Sequence, residues 1–280
     1  MPWAPVTGTQ TAWWQPRRGR SDGPIDPLGA GAVGTGLEPP GMLLRSQARP
    51  RPPLGGPHAR RRRRSTMPRT ALVLVGHHPF TDPWHDDAAV GHLVALELAR
   101  AGLDPVLRGT MPWALDEFDP ADLALLVVKA APGTPDDGTF DAFDERLTAI
   151  VAAGVPILAL HQGSGAFRGA YAAAVGGRWG AHSWHPPLGD TAFRAADDEH
   201  PVSAGLAPFT AYDEGYAGLD LDEGIRPLVV VEHDGVPFPV VWQGPGPSRV
   251  LVDTLGHDAR SFASEGRTDL LRREIAWLTA

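Results

Sequence analysis

The chain has 280 residues, a formal net charge of −8 and no cysteine, which excludes disulfides, thiolate metal sites and a cysteine nucleophile. The charge is unevenly spread: residues 1–66 hold 11 arginines against 3 acidic side chains, and the rest of the chain holds 14 basic against 30 acidic ones. So acidic a main body argues against nucleic acid as a partner, whose phosphates demand a basic face.

Residues 1–66 are rich in Pro, Gly and Arg and show neither helical nor strand periodicity. Such a segment buries too little apolar surface to offset its ordering entropy, so it reads as a disordered extension. Arg60–Arg64 would suit an anionic surface. Met67 stands just before the first strand, however, and the extension reads better as an over-called start of the reading frame. Arg17-Arg18 is not followed by the apolar stretch of an export signal, and no run of about 18 apolar residues exists, so no membrane span is expected. Together with the missing cysteines, this fits a cytoplasmic enzyme.

From residue 67 to 280 the pattern is that of one domain. ALVLV (71–75) reads as a buried strand ending at Gly76. DDAAVGHLVALELARAGL (86–103) places Val90, Leu93, Val94 and Leu98 at helical spacing. DPVLRG is a short strand and LALLVV (123–128) a continuous apolar one. FDAFDERLTAIVAAG (140–154) is an amphipathic helix closed by Gly154. VPILAL (155–160) is the next strand, and GAFRGAYAAAVGG (165–177) the next helix. Alternating strands and helices with unbroken Val/Ile/Leu runs imply an α/β fold: a mainly parallel sheet covered by helices on both faces. IRPLVVVEHD, PFPVVWQ and SRVLVDTLG follow as three strands separated by turns, which suggests added β-hairpins in the C-terminal half. LLRREIAWL (270–278) closes the chain as a helix.

Ligands of open α/β sheets bind beyond the carboxyl ends of the strands, and ten of the eleven histidines lie in this domain. The loop after the first strand, GHHPFTDPWHDD, carries His77, His78, Asp82, Trp84 and His85. VPILAL runs into His161 and Gln162. GGRWGAHSWHP carries Trp179, His182, Trp184 and His185. VLVDTLG runs into His257. A single histidine at a strand end is usually a hydrogen-bonded structural residue; four loops converging on one sheet edge make a shared site, with imidazole as base or metal ligand. His78, before a proline, and His92, on a helix, read as structural. AYDEGY (211–216) sets Asp213 and Glu214 beside Tyr216, as a solvated turn or as acid/base groups. Ser164 is no nucleophile: around it the glycines of a G-x-S-x-G elbow are misplaced, and a role in capping the following helix fits better. No HExxH-type spacing occurs, so a metal is only weakly signalled.

Taken together, LVGHHPFTDPWHDD, VPILALHQGSGAF, GGRWGAHSW, HPVSAGLAPFTAYDEGY and PVVWQ…SRVLVDTLGHD resemble the trehalose-utilisation (ThuA-like) family of the class I glutamine-amidotransferase-like superfamily. The resemblance spans about 67–280. It implies a flavodoxin-like three-layer sandwich, histidine where the amidotransferases have cysteine, no glutamine amidotransfer, and a link to small carbohydrates and their keto derivatives. His161, Asp213, Glu214, Tyr216 and His257 match family positions, with His182 and the first-strand histidines beside them. The expectation is therefore an enzyme with His161, Glu214, His257, His182 and Asp213 as catalytic groups. His77, His85, Trp84, Gln162, Tyr216 and Trp184 would bind substrate. The cofactor stays open, with a divalent metal on His161, Glu214 and His257 one option, and so does a homo-oligomer. The alternative is a non-catalytic sugar-binding or interaction module on a degenerate amidotransferase scaffold.

Overall fold

A computed structural model describes residues 70–133, 135 and 137–280. The disordered extension expected over 1–66 lies outside the described residues. The elements in chain order are β1 (Thr70–Val75), α1 (Asp87–Arg100), β2 (Asp104–Gly109), β3 (Leu123–Lys129), α2 (Asp141–Ala152), β4 (Ile157–Leu160), α3 (Gly169–Val175), β5 (Gly177–Arg178), β6 (Gly189–Ala195), β7 (Phe209–Asp213), β8 (Asp220–Leu221), β9 (Arg226–His233), β10 (Val236–Gln243), β11 (Val250–Asp253) and α4 (Glu265–Leu278).

Nine strands form one sheet in the order β2-β1-β3-β4-β11-β10-β9-β6-β7. The first five run parallel, in the doubly wound order of a flavodoxin-like fold. The remaining four are antiparallel. β5 and β8 form a separate small ribbon. One hydrophobic cluster packs α1 and α4 on one face of the sheet. A second packs α2 and α3 on the other, giving three layers. Every residue of β3 is buried, which explains the unbroken apolar run. Its exception, Lys129, places Nζ 2.8 Å from the carboxylate of Asp87, because a buried ammonium requires a partner.

The expected hairpin is β9–β10. Its two-residue turn, Asp234-Gly235, has φ of 51° and 76°, the left-handed pair that a tight hairpin needs. Three expectations are corrected. The helix after β4 begins at Gly169 and not at 165, because His161–Gly165 forms a 3-10 turn first. Ser164 lies inside that turn, and no side chain caps α3. The AYDEGY turn is the end of a strand, β7, so Asp213 is fully buried.

Candidate functional site

The carboxyl ends of β1, β4, β7 and β11 meet at one edge of the sheet, around a cavity of about 550 Å³. Asp82, His85, His161, Glu214, Tyr216 and His257 line its floor, and Trp84 and Trp179 stand at its walls.

His161 is the first residue after β4 and is fully buried. Its φ of 53° is left-handed, a conformation costing a non-glycine residue roughly 1–2 kcal/mol. The following turn must hug β3: a Cβ on Gly163 would lie 2.4 Å from the Val128 carbonyl oxygen, so only glycine fits there. The ring is fixed at both ends. Nδ1 lies 2.8 Å from the Thr254 carbonyl oxygen, and the Tyr216 hydroxyl lies 2.9 Å from Nε2. A carbonyl only accepts, so Nδ1 carries the proton and Nε2 offers its lone pair to Tyr216. Burial, followed by the positive charge of Lys129, holds the His161 imidazole well below its usual pKa. Burial, followed by the negative charges of Glu214 and Asp213, raises the Tyr216 phenol well above its usual range. A neutral imidazole therefore faces a neutral phenol.

Glu214 lies at the centre. Its Oε2 is 3.6 Å from His161 Nε2, and its Oε1 is 3.6 Å from His257 Nε2 and 3.5 Å from His185 Nδ1. The adjacent Asp213 points the other way, as alternation at a strand end requires. Its carboxylate accepts from the backbone N–H of Glu214 at 2.9 Å, of Gly256 at 2.7 Å and of His257 at 3.2 Å, and from the Ser261 hydroxyl. Asp213 thus ties β7 to the loop that carries His257. Asp213→Asn turns one acceptor oxygen into a donor facing donors, and should cost about 2 kcal/mol. Urea unfolding checks this; an unchanged midpoint would remove the tethering role.

His85 reaches the site from the loop after β1. Asp82 Oδ1 accepts from the backbone of Trp84 and His85 and lies 2.7 Å from His85 Nδ1. His257 has Asp258 behind it, with Oδ2 3.4 Å from Nδ1. Hydrogen bonds from Arg260 hold the Asp258 carboxyl down at about 2, so it stays ionised. One ligand atom each from His85, Glu214 and His257 lies within 4.8 Å of the other two.

The structure therefore brings together His161, Glu214, His257, His85, Trp84, Gln162 and Tyr216. It does not bring His182, His77 or Trp184 to the cavity. His182 is exposed and contributes only backbone beside Gly218, while His185, three residues on, lines the cavity. The His77 ring is exposed and its backbone bonds to Thr110. Trp184 packs on His233 and Phe238 at ring distances of 4.9 and 6.2 Å. Trp179 occupies the wall instead, 4.8 Å from the Tyr216 ring. His161, named with Glu214 and His257 in the metal option, has its Nε2 2.9 Å from the Tyr216 hydroxyl and 3.6 Å from Glu214 Oε2.

Among solved structures, a ThuA-like protein from Parabacteroides merdae superimposes with a TM-score of 0.64 at 18% identity, covering 76% of this chain and 91% of its own. A ThuA-like protein from Bacteroides uniformis gives 0.57 at 15% identity, covering 76% and 93%. Both likenesses are of fold. The sequence matches no curated protein at a significant level. The trehalose-utilisation family model matches residues 115–278, more than half of the chain and including the strands that carry His161, Glu214 and His257. The chain belongs to the ThuA (trehalose utilisation) family.

Proposed function

We propose that this protein is a sugar-utilisation enzyme acting on a small carbohydrate or its keto derivative by proton transfer, without glutamine amidotransfer. One observation carries the reading: a neutral imidazole, a phenol and a carboxylate converge on the floor of a cavity walled by two tryptophans. A ketone on a sugar ring makes the neighbouring C–H acidic. A buried imidazole with a fixed lone pair can take such a proton, and a phenol or carboxylic acid can return one to oxygen. That step is common to isomerase and lyase outcomes. Trp84 and Trp179 offer the flat apolar faces on which sugar rings stack, with Gln162 beside them for hydroxyl groups. The absence of any cysteine speaks against amidotransfer chemistry.

The test is a panel of trehalose-type disaccharides and their keto forms, with products followed by NMR. Turnover of at least one member is expected, and Tyr216→Phe should lower kcat about tenfold, the worth of one buried hydrogen bond. Saturable binding without any product would replace the enzyme by a sugar-binding module.

A further inference from the structure

We propose that His85, Glu214 and His257 form a binding site for one divalent transition ion of the zinc type, with its open position toward the cavity.

Three loops, from the ends of β1, β7 and β11, bring the three ligand atoms within 4.8 Å of one another. The separation of 3.6 Å between His257 Nε2 and Glu214 Oε1 is already close to the roughly 3.4 Å between ligands around a tetrahedral zinc ion. The tautomers give the second argument. Asp82 sits 2.7 Å from His85 Nδ1 and accepts a hydrogen bond from its N–H, so the Nε2 lone pair points inward. That Nε2 is buried and has no hydrogen-bond partner. Asp258 backs His257 Nδ1 in the same way. The two rings lie 4.4 Å apart, centroid to centroid. Two lone pairs and a carboxylate thus converge, an arrangement that a cation relieves. A carboxylate behind each ligating imidazole is the usual outer support of a metal site.

The donor set selects the ion. Two imidazole nitrogens and one carboxylate oxygen suit zinc-like ions, whereas Mg²⁺ and Ca²⁺ take oxygen. Three protein ligands leave a position for water or a substrate oxygen. The nearby charge of Lys129 is offset by Asp87 at 2.8 Å. Glu214 Oε2 stays turned toward His161, so the ion and the imidazole–phenol pair share one cavity without sharing a ligand nitrogen. The proposal goes beyond the sugar reading and stands without it.

The experiment uses untagged full-length protein stripped with a chelator. Zn²⁺ is titrated by calorimetry, and Co²⁺ by its visible absorption. One ion per chain is expected. His85→Ala and His257→Ala should each weaken Zn²⁺ binding at least about 100-fold, and Asp82→Asn about 10- to 100-fold. His92→Ala, on the exposed face of α1, should change nothing, and Mg²⁺ should not compete. Asp82→Asn carries the test if either histidine variant loses its thermal unfolding transition. The proposal is overturned if the wild type takes up no stoichiometric Zn²⁺, or if uptake survives His85→Ala and His257→Ala unchanged. Sugar turnover by a wild type that takes up no stoichiometric Zn²⁺ would overturn this proposal alone. Zinc uptake without any sugar turnover would overturn the sugar reading alone.

Discussion

Replacing His161 by glycine should lower kcat on a substrate from the sugar panel by about 10²- to 10⁴-fold, the usual worth of a positioned general base. Glycine is the informative replacement because φ at this position is 53°. Alanine would keep the left-handed strain; glycine accepts the backbone as it removes the imidazole. The turn should survive, because the Tyr171 hydroxyl still donates to the Gly163 carbonyl at 2.7 Å. KM should change little if the ring acts in the transition state and not in binding. The vacated space opens on the cavity, so added free imidazole should restore part of the lost rate. Steady-state kinetics with and without imidazole reads both effects. A variant within twofold of the wild type would sink the assignment of His161 as the proton-handling group.

Much of this site is legible in the sequence, for reasons tied to particular residues. Unbroken apolar runs mark β1, β3 and β4 because both of their faces are covered, and the residue following a parallel strand lies at the ligand-binding edge. That logic leads straight to His161 and to the His85 loop. It fails where the partner is distant in the chain. Thr254, whose carbonyl fixes the His161 ring, lies 93 residues away, so nothing local shows that both nitrogens of His161 are occupied. The choice between His182 and His185 depends on how the 177–188 segment crosses the cavity mouth, which no periodicity records. Asp213 and Glu214 look equivalent as neighbours. Only the strand ending at Asp213 divides them, sending one carboxylate into the backbone of the 256–257 loop and the other into the cavity. Asp82 is named in its loop without a role, and a local signal carries that role: an aspartate three positions before a histidine can bond both its backbone and its ring. Strand β6, GDTAFRA, paired between β9 and β7, is missed because alternate residues face solvent and small polar side chains dilute the pattern.

Beneath the site lies a buried charged group on which folding should depend strongly. Arg267 on α4 is fully buried, with Nη2 2.7 Å from Asp253 Oδ2 at the end of β11. Its guanidinium also lies over the Phe262 ring, 4.7 Å from the centroid. Glu274, about two turns further along the same face of the helix, is fully buried beside the pair. Its carboxyl is pushed well above the usual carboxylate range, first by burial and then by the negative charge of Asp253. Arg267→Ala would leave a buried carboxylate without its counter-charge, and should cost about 3–5 kcal/mol. Asp253 also accepts from Leu255 N–H at 2.9 Å, so the loss should loosen the segment carrying both the Thr254 carbonyl and His257. Denaturant unfolding reads the stability. A double variant, Arg267→Ala with Asp253→Asn, should cost less than the sum of the two single changes, because it removes the stranded charge. Glu274 adds a pH signature. Its folded pKa is raised, so between the unfolded carboxylate value of about 4 and that raised value the native state holds a proton that the unfolded chain releases. Stability from this group is full below the lower value and declines as pH rises through the window. Glu274→Gln should flatten that decline while leaving stability at acidic pH nearly unchanged. Identical pH profiles for the wild type and Glu274→Gln would show that Glu274 is ionised in the fold, and that Arg267 faces two carboxylates instead of one.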